Sequence, residues 1–483
     1  MNFFAFAFNN IIYTITNMAK GRRQGKRVVL KIGGGILRNR DCFERVVDIV
    51  KKKRQKGEEC IIVISALYGV TDFLIESIGK SIASEKNAVN SVKRIREIHK
   101  EPLQYVGNKG IRDEAEFAID ERLSELGRFF HGIHYLKEVS PRSRDFIQSF
   151  GEKLSPIVIE ALLLDKGVNA RFIDAEEAGI FCKGPFENAV VDMHKTNSKL
   201  RKKIGKLLKK NVVLLPGYYG VDENKDVKTF GRGGTDYSAG FIANILNAEL
   251  EIWKDVSGFM TADPKAVKGA RQIDFLSYDE AEELGYLGAK ILHPKTIEPL
   301  REKGLEAEIK NIFRPEVKGT VIGPRKKKSR EIIKSIAARK EAAVVSVWSS
   351  SMVNASGFLS AIFDRLAEHE IVVDLIATSE TAISFSIEPK DLKKTISALE
   401  PLKEQLSAEI YSKSGLSLIG VIGEGMRETP GIAGKLFSAL GSRKINVELI
   451  TQGASEINIT FVVEKRDAEK AIQAVHDEFI GRR

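Results

Sequence analysis

The sequence predicts an α/β protein: a mostly parallel open sheet with helices on both faces, followed by two small α+β units. Three observations carry this. Short apolar runs of buried-strand character, residues 28–32 and 60–64 among them, alternate with helix-length segments up to Ile312. Glycine-rich turns join several of these runs to the helices after them. Beyond a Pro/Gly/Lys-rich stretch the chain repeats itself: residues 357–366 leading to 371–376 recur at a constant offset as 431–440 leading to 445–450, held through Ile383 and Ile457. With 483 residues, 43% of them hydrophobic and 29% charged, the chain has length for roughly two to four domains and is too apolar for general disorder.

The expected order is an N-terminal extension without fixed structure (1–27), an α/β domain (28–314), a linker (315–335) and two repeats (336–410 and 411–483). Residues 3–16 are apolar but broken by Asn9 and Asn10, and positive charges follow them instead of preceding them. That order is reversed for a secretion signal, and the stretch is too short for a membrane helix, leaving a weak surface anchor as the lesser alternative. Met18 offers a second start. The net charge is +11, to which the extension contributes +5. The other basic runs (51–54, 201–210, 325–328) lack the interleaved aromatics of a single-strand binder. They read as solvated faces and linker, so no nucleic-acid or membrane partner is expected, while a basic surface favours anionic substrates such as nucleotides. Cys42, Cys60 and Cys182 stand far apart without a CxxC pair, which fits a reducing, cytoplasmic setting with neither disulfides nor a zinc site.

Taken in order, residues 28–32 form a strand with Lys31 near its end, and Gly33-Gly34-Gly35 turns it toward a helix at 41–53. Neither GxxxxGK[ST] nor GxGxxG is present, so a phosphate here relies on the glycine amides and Lys31; a snorkelling lysine is the plainer alternative. The strand 60–64 delivers Ser65, then Thr71 and Asp72, where open α/β sheets take ligands. A simple N-cap is the competing role for Thr71 or Asp72. An amphipathic helix at 146–164 sets Gly151 beside Glu152: a glycine for close approach of a ligand, a carboxylate for an ammonium. After the strand 212–215 comes the densest glycine segment, Gly231-Arg232-Gly233-Gly234-Thr235-Asp236, opening a helix at 237–246. Backbone amides, a helix N-terminus and a forked guanidinium there suit an anion, against the plainer reading of a Gly-rich turn with a surface arginine. The strand 250–253 delivers Lys254 and Asp255, a turn follows with Thr261, Asp263 and Lys265, and Lys290, Ile291 and His293 come later. His293 reads as structural, because no nucleophile nearby needs a base.

Taken together, Lys31-Ile32-Gly33-Gly34, Ser65 through Asp72, Ser149-Phe150-Gly151-Glu152, Phe230 through Asp236, Asp255-Val256-Ser257-Gly258 with Thr261-Ala262-Asp263-Pro264, and Gly288 through Pro294 resemble the aspartate kinases of the amino acid kinase family. The resemblance covers residues 28–479 and includes paired C-terminal ACT domains. It implies the amino acid kinase fold followed by two ferredoxin-like ACT domains. It also implies ATP-dependent phosphorylation of the side-chain carboxylate of L-aspartate to 4-phospho-L-aspartate, the first step toward lysine, threonine, methionine and isoleucine. Arg232 would take the substrate α-carboxylate and Glu152 its ammonium, with Ser65, Thr71, Gly233, Gly234 and Thr235 completing the aspartate site. Lys31, Gly33 and Gly34 would hold the transferring phosphoryl group, and Lys254, Asp255, Met260, Lys265, Lys290 and Ile291 would line the nucleotide site.

The chemistry suits this inventory. A carboxylate of pKa ~3.9 is already ionised at neutral pH, so no general base is needed. The work is positioning and charge neutralisation by Lys31, helix N-termini and Mg²⁺, with Asp236 orienting Lys31 or the cation. No all-protein metal site is expected. Met352, Phe358, Val372, Val373, Asp374, Thr378 and Ser379 fall where ACT-bearing relatives bind a lysine or threonine effector, and the ACT pair implies a homodimer or homotetramer. The sequence departs from the family at Gly35-Ile36, where a Thr-Ser pair is usual, and at Lys254 and Met260, where a threonine and an aromatic residue are common. The departures leave two other readings open: a catalytically weak amino-acid-sensing subunit, or an amino acid kinase for another acceptor.

Overall fold

The computed structural model describes residues 26–288, 291–324, 331–353, 356–427 and 429–481. The N-terminal extension up to residue 25, Lys290 and the basic run of the linker lie outside them. Two compact units divide between Asp255 and Val256.

The first unit is built on five parallel strands: β1 (Arg27–Ile32), β2 (Glu59–Ile64), β3 (Ala170–Phe172), β4 (Val212–Pro216) and, after the hairpin β5 (Tyr219–Val221) and β6 (Val227–Thr229), β7 (Glu249–Lys254). Their order is β7-β1-β2-β4-β3. The central strands are buried along almost their whole length, which is why they read as continuous apolar runs. The helices of this unit include α1 (Arg40–Gln55), α2 (Val70–Ala83), α3 (Glu85–Lys100), α4 (Lys109–Leu136), α5 (Pro141–Asp165), α6 (Met193–Leu207) and α7 (Gly234–Leu246). Asn39, Asn108, Ser140 and Asp192 cap α1, α4, α5 and α6 through their side chains.

Two expectations change. α5 is not amphipathic: every residue from Ile147 to Ile159 is buried, because the helix is packed on all sides. Neither Thr71 nor Asp72 caps α2; the N-cap is Gly69 at φ 76°, and both residues sit in the first turn of the helix.

The second unit opens with β8 (Phe275–Ser277), α8 (Tyr278–Tyr286), β9 (Ala307–Asn311) and β10 (Thr320–Gly323), with β10 parallel to β8 and antiparallel to β9. The repeats follow: β11 (Ser335–Trp348), α9 (Phe358–Glu368), β12 (Ile376–Thr378), β13 (Ala382–Ile387), α10 (Leu392–Leu399), then β14 (Glu409–Ile422), α11 (Ile432–Ser442), β15 (Leu449–Gln452), β16 (Asn458–Glu464) and α12 (Ala468–Phe479). They share one antiparallel six-stranded sheet, β12-β13-β11-β14-β16-β15. The repeat extends to the backbone: α9 and α11 start from Gly357 and Gly431 at φ 86° and 85°. The 14-residue β11 serves both cores. Ala343, Val345 and Val347 pack with Phe358 and Phe385, while Ile336 packs with Ile419 and Phe461. Among the described residues no helix is long and apolar enough to cross a membrane.

Candidate active site

Strand register builds the site. Trp253 pairs with Ile32, Ile32 with Ile64, and Ile64 with Pro216, so four strands end level. The next residues, Lys254, Gly33, Ser65 and Gly217, form the rim at the carboxyl end of the sheet, where such sheets bind ligands. Glycine is required for close packing at Gly217 on this rim, while a side chain at Gly33 would press only on the flexible end of Lys31. A Cβ on Gly33 would come within 3.1 Å of Lys31 Nζ, and one on Gly217 within 2.4 Å of the Thr235 side chain.

Lys31 reaches forward over Gly33, and its Nζ lies 2.6 Å from Asp236 Oδ1; both side chains are buried. Asp236 stands in the first turn of α7, where the partial positive charge of the helix start favours a carboxylate. The loop before α7 turns through Gly231 and Gly233, at φ 70° and 76°. Gly234 packs against Tyr218, where a Cβ would meet the ring at 2.8 Å.

Beside this pair Glu152 is 2% exposed. Ser65 Oγ and Thr235 Oγ1 donate to its Oε1 at 3.3 and 3.4 Å, while its Oε2 is buried without a hydrogen-bond partner. Burial pushes the carboxyl up to about 7, against the pull of the Ala66 amide and of the two hydroxyls. α5 comes this close because Gly151 faces Ala66, whose Cβ would be 2.7 Å from a Cβ at 151. The glycine next to Glu152 thus admits the chain's own strand end and not a ligand, a correction to the sequence reading. The result is a buried carboxylate oxygen that lacks a donor, an arrangement suited to an ammonium group.

Arg232 is exposed on the glycine loop and makes no ion pair among the described residues. Thr71 is half-buried on α2. Asp255 is exposed just past β7. Gly35 has open space where a side chain would stand, whereas Ile36 is 1% exposed and belongs to the core.

The second unit carries the other expected nucleotide residues. The Met260 carbonyl accepts from Ser335 Oγ at 2.8 Å, Lys265 is exposed, and Ile291 is half-buried. Of the expected effector residues, Val372, Thr378 and Ser379 are exposed. Phe358 is 3% exposed and committed to the core of the first repeat, with Met352 and Val373 packed against that core. Asp374 pairs with Arg339 at 2.5 Å.

α8 contacts both repeats from one face. Glu280, wholly buried, accepts from Lys334 Nζ at 2.8 Å and from the Glu424 amide at 3.0 Å. Glu283 accepts from Asn458 Nδ2 at 2.7 Å, and the Tyr286 hydroxyl donates to the Asp374 carbonyl at 2.9 Å.

Sequence reasoning missed Tyr218, which takes φ 73° to bring its backbone N–H to Ser238 Oγ and its hydroxyl to Gln148. It also missed Asp145, a buried acceptor for the Glu187 and Thr229 amides that fixes the hairpin beside the loop. Neither stands in a recognisable motif. Among the described residues no group of three or more His, Cys, Asp or Glu side chains is placed to hold a metal ion.

Comparison with known proteins agrees with this arrangement. The chain matches the amino acid kinase family over residues 26–311 and the ACT domain over 345–401 and 419–479. It is 31% identical to the chloroplastic aspartokinase 2 of Arabidopsis thaliana, across 93% of this chain and 84% of that one. Its fold is similar to that of E. coli aspartokinase III in complex with aspartate and ADP, with 27% identity and a TM-score of 0.78 over 94% of this chain and 99% of the other. The lysine and aspartate complex of the E. coli enzyme, a T-state, gives a TM-score of 0.79 at the same identity and coverage. The chain therefore belongs to the amino acid kinase family, among its ACT-bearing aspartokinases.

Proposed function

We infer that the protein is an aspartate kinase, transferring the terminal phosphoryl group of ATP to the side-chain carboxylate of L-aspartate and releasing ADP and 4-phospho-L-aspartate. The observation that carries this is the Glu152 pocket. A buried carboxylate oxygen without a donor, flanked by the Ser65 and Thr235 hydroxyls, adjoins the buried Lys31–Asp236 pair. An amino acid whose ammonium meets Glu152 and whose α-carboxylate meets Arg232 is clamped at both ends, with its side-chain carboxylate left to face Lys31. Ligands without that zwitterion leave buried charge unpaired and are rejected. Thr71 completes the aspartate side; Gly33, Gly34 and the start of α7 offer amides to the phosphoryl oxygens.

The reaction removes no proton. The aspartate carboxylate attacks the γ-phosphorus and ADP leaves, so the protein's task is to bring two anions together. Asp255, Met260, Lys265, Lys290 and Ile291 are assigned to the nucleotide. Asp236 or Asp255 would offer a carboxylate to a Mg²⁺ accompanying the phosphates, and the ion would neutralise charge developing there. Feedback by lysine or threonine through Met352, Val372, Val373, Asp374, Thr378 and Ser379 is supported by the lysine complex of the E. coli relative. The α8 contacts to Asp374, Glu424 and Asn458 give the repeats a physical hold on the segment that leads to Lys290 and Ile291. Assembly through the ACT repeats and a cytoplasmic location complete the proposal.

Incubation with ATP, Mg²⁺, L-aspartate and hydroxylamine should yield aspartyl hydroxamate, inhibited by lysine or threonine. Phosphorylation of glutamate in place of aspartate would overturn the assignment. Effector binding with no hydroxamate would favour the second reading, a weak or sensing chain, which the burial of Ile36 in place of a hydroxyl residue supports.

A further inference from the structure

Asp145 is wholly buried near the start of α5, and three donors meet it. Its Oδ2 accepts from the Glu187 amide at 2.8 Å and the Thr229 amide at 2.9 Å, and its Oδ1 accepts from the Thr229 hydroxyl at 2.7 Å. These donors belong to the two segments that border the 231–236 loop. Thr229 ends β6, three residues before Arg232. Glu187 lies in the loop 184–189 and takes φ 64°, and a Cβ on Gly231 would meet its carbonyl at 2.7 Å. The Ala189 amide donates to the Thr229 carbonyl at 2.9 Å and closes the two segments on each other. One carboxylate thus fixes both supports of the turn that carries Arg232.

The same helix carries Glu152. Positions 145, 148, 152 and 155 fall on one face of α5. All four are buried polar residues, and each holds a different part of the site. Asp145 holds the supports of the glycine loop, and Gln148 accepts from the Tyr218 hydroxyl at 2.5 Å. Glu152 accepts from Ser65 and Thr235, and Ser155 Oγ donates to the Ser65 carbonyl at 2.7 Å. Asp145 and Glu152 are two turns apart, about 10 Å along the axis. The helix between them is packed on all sides, which keeps that separation from changing.

We propose that Asp145 is a positioning residue for the amino acid clamp: by binding the Thr229 and Glu187 amides from the helix face that also carries Glu152, it sets where Arg232 stands relative to Glu152. The inference rests on the kinase reading and refines it. Arg232 itself is exposed on a loop of three glycines, and such a loop has little stiffness of its own. A guanidinium there binds a carboxylate well only if the loop is held beforehand, and Asp145 supplies that hold without touching the substrate.

The test is a double-mutant cycle on the full chain, read as aspartate affinity by calorimetry and as aspartate KM in the hydroxamate assay. Asp145→Ala should weaken aspartate binding and raise its KM by ~10- to 100-fold, toward the values of Arg232→Ala, with affinity for a non-hydrolysable ATP analogue unchanged. Asparagine keeps an oxygen for the two amides, and the Thr229 hydroxyl can accept from its Nδ2, so Asp145→Asn should stay within ~3-fold of the wild type. In the Arg232→Ala background, Asp145→Ala should add less than ~2-fold, whereas two independent effects would multiply. Unchanged aspartate affinity in Asp145→Ala, an equal loss for the ATP analogue, or multiplying losses in the double variant overturns the proposal. Should Asp145→Ala not fold, Asp145→Ser goes through the same cycle with the same outcomes. Failure of the kinase reading itself would show separately, as absence of aspartyl hydroxamate from the wild type.

Discussion

The role proposed for Glu152 implies a pH dependence of aspartate binding that can be worked out beforehand. Its carboxyl is pushed up from an ordinary 4.5 to about 7, chiefly by burial, which corresponds to about 3 kcal/mol against the charged form in the empty protein. The substrate ammonium needs that charged form. Near pH 8 about nine-tenths of the sites are ionised and near pH 6 about one-tenth, so the KM for aspartate should rise ~10-fold between them. The substrate's own side-chain carboxylate is ionised throughout this window, so its titration does not imitate the effect. Steady-state assays at saturating ATP give the KM, and calorimetry without nucleotide gives the affinity. Glu152→Gln should bind aspartate ~10- to 100-fold more weakly at pH 8 and lose the dependence between pH 6 and 8.

The sign for stability runs the other way. A folded-state pKa above the unfolded value stabilises fully below pH ~4.5 and loses that contribution as pH rises through ~7. Glu152→Gln should therefore melt higher than the wild type at pH 8, with the difference shrinking toward pH 5. A flat aspartate KM from pH 6 to 8 in the wild type, or the same slope in Glu152→Gln, would refute the assignment of Glu152 to the ammonium.

Four further outcomes are expected. Lys31→Met should lower kcat by at least ~100-fold with an unchanged circular dichroism spectrum. Arg232→Ala should raise the aspartate KM ~10- to 100-fold while leaving the affinity for AMP alone, and equal KM values would contradict its role. Asp374→Asn removes the charge facing Arg339 and should raise the lysine or threonine concentration needed for half inhibition. Glu280→Gln leaves Lys334 as a buried, uncompensated charge, and should cost about 3 kcal/mol, read as a lower denaturant midpoint.

What could be read from the sequence divides along a physical line. Lys31, Ser65 and the 231–236 loop were legible because residue type there answers to short-range requirements, a strand end, a glycine turn and a helix start, whereas Glu152, in the middle of α5, stood out only through the glycine before it and the family resemblance. The repeat was legible for the same reason, as Gly357 and Gly431 begin their helices in the same backbone conformation. Positions whose identity is set by a distant partner were not. Gly217 is glycine because Thr235 packs onto it, and Gly151 because Ala66 does. Glu280 and Glu283 look in the sequence like solvated acids on an ordinary helix. Their partners Glu424 and Asn458 stand 144 and 175 residues further on.

The same distinction explains the shared strand. Along β11, Val345 and Val347 join one core and Ile336 another, with a break in register between Arg339 and Val344 separating the two stretches. Nothing in a period-two pattern says that the two ends of one strand serve different cores, since an apolar position looks the same whichever helix covers it. The consequence is mechanical. A strand that is part of both cores cannot shift in one repeat without loading the other, and Arg339 on that strand holds Asp374 of the first repeat and the Tyr286 carbonyl of α8. An effector that draws Asp374 away from Arg339 thus acts on α8 through a few adjoining contacts, and coupling of ~1 to 3 kcal/mol is enough for regulation.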